Sequence, residues 1–453
     1  MAEADRHDKT SHQLRLLSDA LESGRLGPVK RLVNTLSPAE IGNLLESLPL
    51  GKRIIVWGLV DPDDDGEVLV HVGDEVRESL LADMDPDEIV SAVEDLDIDD
   101  LADLVEDLPA TVIDEVLKSM DRENRERLEQ VLSYPEDTAG RLMNPDVVTV
   151  RADTTVDVVL RYLRLRGELP EHTDYLYVVN RRHKYLGRIG LAQLLTHDAA
   201  TPINQLLDDE QPAIEVDESA SEVARRFSDR DWLSAPVVDD SYILLGRITI
   251  DDVVDIIREQ AEHQALSAAG LDEDEDLFSP AIRAFRRRLV WLGVNLGTAF
   301  IAASVIGRFE DSIEEIVALA ILMPIVAGMG GNAGTQVLAL MIRGLALGQI
   351  GTSNFRVLLR KEIAVAMING LLLGAGLGLI VLAWFHSPML SLVIGTALTI
   401  NLLTAATAGV LVPLNLKRLG FDPALAGGVL LTTITDVMGF VSFLGLATLI
   451  LLH

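Results

Sequence analysis

The sequence contains no cysteine, which excludes disulfides, thiolate metal sites and cysteine nucleophiles. Aromatic residues make up 4% of it, and only 7 of its 38 basic residues are lysine. Positive charge is scarce overall: 70 acidic against 38 basic residues leave a net −32. That balance repels phosphate backbones, so nucleic acid is excluded as a partner and cations are favoured. The first residues, MAEADRHDKTSHQ, hold no apolar run, and no cleaved signal peptide is expected. No activated nucleophile or catalytic metal motif is present, so an enzyme is not expected.

Against this acidity stands a hydrophobic content of 49%. A division at Pro280 explains it. Residues 281–453 hold 11 basic and 7 acidic residues, a balance of +4, which leaves −36 for residues 1–280. Five runs in the second part approach or exceed the ~20 residues that cross a bilayer: Leu289–Ile306, Ile316–Ile342, Ile363–Trp384, Leu390–Leu414 and Ala424–Leu451. Arg283, Arg286, Arg287 and Arg288 precede the first run. Arg343, Arg356, Arg360 and Lys361 follow the second, and Lys417 and Arg418 follow the fourth. The positive-inside rule then puts the acidic part in the cytoplasm of a multi-pass protein of the cell (plasma or inner) membrane, with the C-terminus outside. Five spans are few for enclosing a polar path, and they are rich in small residues that allow close packing. A homodimer with a pathway near its axis is expected.

The acidic part carries two repeats. An apolar residue recurs every twelve positions from Leu36 through Leu48, Val60, Val72, Met84, Leu96, Leu108 and Met120 to Leu132. Helix-starting residues such as Ser37, Pro49, Asp85 and Pro109 follow them, which predicts a solenoid of short stacked helices. Its acidic stretch between Asp61 and Asp107 reads equally as a solvated face. Further on, Leu186-Gly-Arg-Ile-Gly190 recurs as Leu245-Gly-Arg-Ile-Thr249, each within a β-α-β-β-α pattern. The tandem units resemble a CBS-domain pair, which often binds adenine nucleotides. The G-x-x-T/S-x-x-D pattern that contacts the ribose in such domains is matched by Gly246, Thr249 and Asp252. The first copy reads Gly187, Gly190 and Gln193, so its site is expected to be lost. A structural turn explains the short pattern about as well.

Within the apolar part Asp436 stands out, in Thr432-Thr-Ile-Thr-Asp436-Val-Met-Gly439 in the middle of the fifth run. A carboxylate there lines an ion path or, protonated, ties helices together; in a dimer it occurs twice, which suits a divalent cation. The second run carries Pro324 and Gly328-Met-Gly330-Gly331-Asn332-Ala-Gly334-Thr-Gln336, which predicts a broken helix offering carbonyls and Asn332 to an ion. Close packing through the glycines is the competing explanation. Glu314 and Glu315 could gather cations at the outer mouth or cap the interface. Asn401, Thr404 and Asn415 are weaker candidates, and Asp422 in Phe421-Asp-Pro-Ala424 serves equally as a helix N-cap.

These motifs, with Tyr134-Pro-Glu-Asp-Thr-Ala-Gly140-Arg-Leu-Met143, together resemble the MgtE family of magnesium channels over essentially the whole chain. The resemblance implies a multidomain fold: an all-α superhelical N-terminal domain, α/β tandem CBS domains, a connecting (plug) helix and a five-helix transmembrane domain. The corresponding boundaries are a polar tail at 1–30, the helical domain at 31–134, CBS domains at 135–200 and 201–258, the connecting helix at 259–285 and the membrane domain at 286–453. It further implies a Mg2+-selective homodimeric channel conducting inward, with Asp436 facing the pore and binding hydrated Mg2+. Cytoplasmic Mg2+ would close it by binding between the domains. The matching positions are Asp251, Asp252, Glu259 and Glu262, with partners expected among Asp95, Asp99, Asp100 and Asp103. ATP at the second CBS unit is a possible further ligand. The run Asp272–Asp276 adds sites or is a solvated linker.

Three alternatives stand beside this reading. Another divalent ion, Co2+ or Mn2+, is disfavoured by the all-oxygen donor set. The acidity could be adaptation to a salt-rich cytoplasm. A membrane-anchored nucleotide receptor that transports nothing would leave Asp436 unexplained.

Overall fold

The computed structural model describes residues 20–21, 26–94, 96–105, 107–267, 269–271, 276–351 and 354–452. It comprises two compact units, Met1–Ala261 with Asp274–Pro280, and Glu262–Glu273 with Ala281–His453.

The first unit opens with α1 (Leu26–Val33), α2 (Pro38–Glu46), α3 (Leu50–Trp57), a 3-10 turn (Pro62–Asp64) continued by α4 (Asp65–Val70), α5 (Asp74–Leu81), α6 (Pro86–Val93), α7 (Ile98–Val105), α8 (Ala110–Ser119) and α9 (Arg122–Leu132). From Pro38 to Arg122 a helical segment starts every twelve residues, at 38, 50, 62, 74, 86, 98, 110 and 122. The repeat is cut by local chemistry. At α2, Ser37 Oγ accepts from Glu40 N at 3.3 Å while Glu40 Oε2 accepts from Ser37 N at 3.0 Å, a reciprocal cap. Asp121 Oδ1 likewise accepts from Asn124 N at 2.9 Å. Leu48, Val60, Val72 and Leu108 are buried between the layers. The stack is tight: a Cβ on Gly66 would lie 2.0 Å from the carbonyl oxygen of Ala92.

Next come α10 (Ala139–Leu142) and two three-stranded sheets. The first is β1 (Thr149–Arg151), β2 (Tyr175–Val179) and β3 (Tyr185–Gly190), with α11 (Val156–Arg166) and α12 (Leu191–Thr196). The second is β4 (Ile214–Glu215), β5 (Ser234–Val238) and β6 (Leu244–Thr249), with α13 (Ala220–Arg230) and α14 (Ile250–Ser267). Each sheet has a parallel first pair, an antiparallel second pair and a register shift at equivalent points, Val178/Val179 and Val237/Val238. Their cores differ. The first repeat packs around its own Val150, Leu176 and Ile189, whereas Ile214, Val237 and Ile248 of the second join one continuous core with the helical stack. Helix α14 runs unbroken through residue 258, so residues 259–267 continue the helix of the second repeat rather than beginning a separate one.

The second unit holds five helices long and apolar enough to cross a membrane: α15 (Ala281–Gly307), α17 (Ala318–Ala346), α18 (Phe355–Phe385), α19 (Pro388–Arg418) and α20 (Pro423–Leu451). The short α16 (Glu310–Glu315) lies between the first two. The expected break in the glycine-rich run does not occur: α17 is continuous from Ala318 to Ala346 with Pro324 inside. Pro324 stands in its second turn, where the ring removes a single intrahelical donor, and the glycines serve close approach instead. Helices α18 and α19 cross backbone to backbone, a Cβ on Gly374 lying 2.6 Å from Gly395 O. Helix α19 is the most buried span; α15 is the least, with Ala302 its buried residue.

Candidate cation sites

In the first unit, α7 and α14 bring acidic side chains together although about 150 residues separate them. Two bonds place α7, the first buried and the second partly so. Arg141 Nη2, on α10, donates to Ala102 O at 2.6 Å, and Asn144 Nδ2 donates to Asp97 Oδ2 at 3.0 Å. Asp99, Asp100, Asp103, Asp252, Asp255 and Glu259 then line one cavity of about 120 Å³. Of the basic neighbours, Arg77 pairs outside the set with Asp107 at 2.7 Å, while Arg258 sits 3.5 Å from Asp255 and Arg141 3.9 Å from Asp103. Asp99 Oδ1 is shielded from solvent and has no hydrogen-bond partner among the described residues.

Burial and mutual repulsion hold these carboxyls above the usual range. Burial, then the charge of Asp252, pushes Asp99 well up. Burial, then Asp97 and Asp103, pushes Asp100 up to about 7. Burial, then Asp251, pushes Asp252 up to about 7, against the hydrogen bonds it accepts from Thr249 N (3.2 Å) and Oγ1 (3.0 Å). Asp103 is raised by burial despite Arg141, and Glu259 by burial and Asp255. Clustered, mutually repelling carboxylates, with Asp99 Oδ1 still free to accept, are a donor set suited to a hard divalent cation. Among the described residues no three such groups already stand in metal-binding geometry, so an ion would draw them together.

The structure thus gathers five of the residues singled out from the sequence for the α14 and helical-domain set: Asp99, Asp100, Asp103, Asp252 and Glu259. Asp251 stays at the rim, exposed, with its Oδ2 3.5 Å from His172 Nε2. Glu262 is exposed and belongs to the second unit. Asp95 and residues 272–275 lie outside the described residues. Asp255 was missed, although Asp252, Asp255 and Glu259 follow the three- and four-residue steps of one helix face. Gly246, Thr249 and Asp252, the suggested nucleotide contacts, each have a structural use. Asp252 accepts from Thr249, and a Cβ on Gly246 would meet Asn144 O at 2.8 Å.

In the second unit, a cavity of about 560 Å³ is lined by residues of α15, α17, α20 and the end of α14. Its polar walls are Gln264, Asn295, Thr298, Thr335, Arg343, Thr432, Thr433 and Asp436. Asp436 is half-buried and, among the described residues, forms no hydrogen bond or ion pair. Asn332 and Gln336 are exposed on α17, outside that wall. Glu314 is exposed on α16, separated from α17. Asp422 caps α20, accepting from Ala424 N at 2.9 Å and Leu425 N at 3.0 Å, with His263 Nε2 3.3 Å away.

Residues 36–137 match the MgtE intracellular N domain, 139–199 and 204–259 match CBS domains, and 323–446 match a divalent cation transporter family, MgtE. The chain is 31% identical over 439 residues to "Magnesium transporter MgtE" of Enterococcus faecalis, covering 96% of this chain and 97% of that one. The chain belongs to the MgtE family. It is also 31% identical over 452 residues to the protein of the same name from Thermus thermophilus, covering 96% of this chain and 98% of the other. A crystal structure described as the cytosolic domain of the Mg2+ channel MgtE in complex with ATP shares 31% identity and covers 53% of this chain and 98% of its own, at a TM-score of 0.48. MgtE proteins are transporters, not enzymes, and with its five long apolar helices this member is a multi-pass membrane protein. The fold class expected from the sequence, a helical N domain, tandem CBS domains and five apolar helices, is borne out.

Proposed function

We propose that the chain conducts Mg2+ inward across the cell membrane as a homodimeric channel, and that cytoplasmic Mg2+ closes it by binding in the acidic cavity. The observation that carries the transport reading is Asp436: a carboxylate with no partner among the described residues, in a cavity whose polar lining also holds four threonines, Gln264, Asn295 and Arg343, within a helix that crosses the membrane. Mg2+ holds six oxygens at ~2.0–2.1 Å and dehydrates reluctantly. Hydroxyls, amides and a carboxylate contact its water shell without stripping it, so the ion is bound weakly enough to leave.

Dimerisation is supported by what one chain leaves uncovered. Asn332 and Gln336 are polar and exposed on a spanning helix, a costly arrangement against lipid. A second copy across an axis would turn that face towards a shared aqueous path. The arginine-bearing loops favour a cytoplasmic N-terminus and an outer C-terminus. For gating, the cavity between α7 and α14 supplies raised, mutually repelling carboxylates whose pairing with a divalent cation favours the gathered arrangement. Because the ion binds that arrangement better, it shifts the population towards it. ATP at the second CBS repeat would have to share Asp252 with Thr249, which links nucleotide and cation at one carboxylate.

Mg2+ flux into proteoliposomes, with cytoplasmic-side Mg2+ varied and Asp436→Ala run in parallel, tests the reading. Flux that requires Asp436 and falls as cytoplasmic Mg2+ rises is expected. Flux indifferent to cytoplasmic Mg2+ leaves the pore and removes the sensor. Absence of flux with tight ATP binding replaces the channel with a nucleotide receptor.

A further inference from the structure

Asn401 lies in the middle of α19 with no solvent exposure. The hydroxyls beside it are satisfied within their own helix: Thr399 donates to Gly395 O at 2.8 Å, Thr404 to Ile400 O at 3.0 Å and Thr407 to Leu403 O at 2.8 Å. Asn401 instead reaches across, its Nδ2 donating to Val326 O on α17 at 2.9 Å. Its Oδ1 is buried and has no partner among the described residues. Two glycines make the room it occupies. A Cβ on Gly330 of α17 would lie 2.1 Å from Asn401 Nδ2, and one on Gly439 of α20 would lie 2.8 Å from it.

We propose that Asn401 is the positioning residue of the transport path, setting the Asp436 face of α20 against the glycine-rich segment of α17. This inference rests on the transport reading above. Gly439 stands three residues from Asp436, on the same side of α20 one turn away. Gly330 stands one turn from Val326 and two residues from Asn332. The carboxamide therefore touches both helices that carry the candidate ion-contacting groups, close to where they carry them. Stability does not account for it. A buried oxygen left without a hydrogen bond is unfavourable, and an apolar side chain of equal volume would avoid that loss while filling the same hole. What an apolar residue lacks is the directional bond to Val326 O, which fixes the azimuth of α17 relative to α19. The glycines then allow α20 to close on the same carboxamide.

Asn401→Ser gives the decisive comparison. Its hydroxyl would bond back within α19 as the neighbouring threonines do, so the cross-helix bond goes without overpacking or a new unpaired group. Asn401→Leu keeps the volume and removes the donor. Gly439→Ala keeps the donor and removes the room. Mg2+ flux, its half-saturating concentration and the melting temperature are measured for each in the full-length protein. The chain has no cysteine, so Thr432→Cys, one turn before Asp436, provides a single site for a water-soluble maleimide, with and without Asn401→Ser. The expected result is a loss of flux of about tenfold, as for a small misplacement of a positioned group. A shifted half-saturating Mg2+ concentration and an altered labelling rate accompany it, with the melting temperature little changed. A lowered melting temperature with flux per folded molecule, half-saturation and labelling rate all unchanged overturns the proposal and makes Asn401 packing only. So does Asn401→Ser that behaves as the parent in every measurement. If one variant does not fold, the other two decide. If the parent carries no flux, the function proposed above fails, and an unaltered labelling rate in Asn401→Ser would overturn the positional claim separately.

Discussion

Asp99, Asp100 and Asp252 keep their protons to higher pH than free aspartates because each is shielded from water and faces others of its kind. The sign of the consequence follows from linkage. The folded chain binds protons that the unfolded chain releases above its ordinary value of 3.8, so stability falls as pH rises from there through about 7 and stays low above it. In chelator, the melting temperature of the full-length protein in detergent is therefore expected to be lower at pH 8 than at pH 6. Millimolar Mg2+ should narrow the gap by replacing the missing protons. Asp252→Asn, which stays neutral at all pH, should flatten the pH dependence and weaken the response to Mg2+. A melting temperature equally raised by Mg2+ in parent and variant would remove Asp252 from the site.

At the scale of elements, the residues just ahead of the first spanning helix are pinned to the helical stack. Arg53 is buried in α3, donates Nε to Leu45 O at 3.0 Å, and pairs through Nη2 with Asp276 Oδ2 at 2.7 Å. Glu75 of α5 accepts from Asp276 N at 3.3 Å and Ser279 Oγ at 2.5 Å. Both members of the ion pair are almost wholly shielded. Removing one partner of such a pair leaves a buried uncompensated charge, which costs about 3–5 kcal/mol. Arg53→Ala is expected to show that loss by denaturant unfolding, together with faster amide exchange over residues 276–279. Arg53→Met with Asp276→Leu should recover most of it. In the membrane unit, Gly374→Val is expected to separate α18 from α19, because even a Cβ there meets Gly395 O. Reduced thermal stability in detergent, with the first unit unaffected, is the readout.

At the scale of the molecule, the −36 of residues 1–280 has two explanations that salt can separate. Screening acts on exposed charge over ~10 Å at 0.1 M salt and ~3 Å at 1 M. A generic acidic surface would be stabilised by 1 M KCl as well as by millimolar Mg2+. A shielded cavity such as that lined by Asp99 and Asp252 requires the divalent ion. Stabilisation by Mg2+ that persists in 1 M KCl is expected, measured as melting temperature; its disappearance would assign the acidity to salt adaptation. Native mass spectrometry of the detergent-solubilised protein is expected to give twice the chain mass for the proposed dimer that would cover the exposed Asn332 and Gln336 on α17; a single chain mass would overturn it.

Periodicity and hydropathy are local properties, and most of what they govern was readable along the chain. The twelve-residue helix starts, the two matching β-α-β-β-α units, the five apolar helices and the isolated carboxylate at Asp436 all follow from neighbours within a few turns. A continuous α17 was misjudged from the same local signals. Pro324 and the glycines weaken a helix in isolation, yet packing against Asn401 and Leu431 makes use of the space they leave. Only the tertiary structure decided which acids meet. Asp99 and Asp252 come together because Arg141 and Asn144 fasten α7 to the CBS segment, and no period in the sequence encodes a bond to Ala102 O. The same holds for Arg53 with Asp276 and for Asn401 with Val326, pairs 223 and 75 residues apart. A side chain's type and its place on a helix are set by sequence, but its partner is set by how the helices pack.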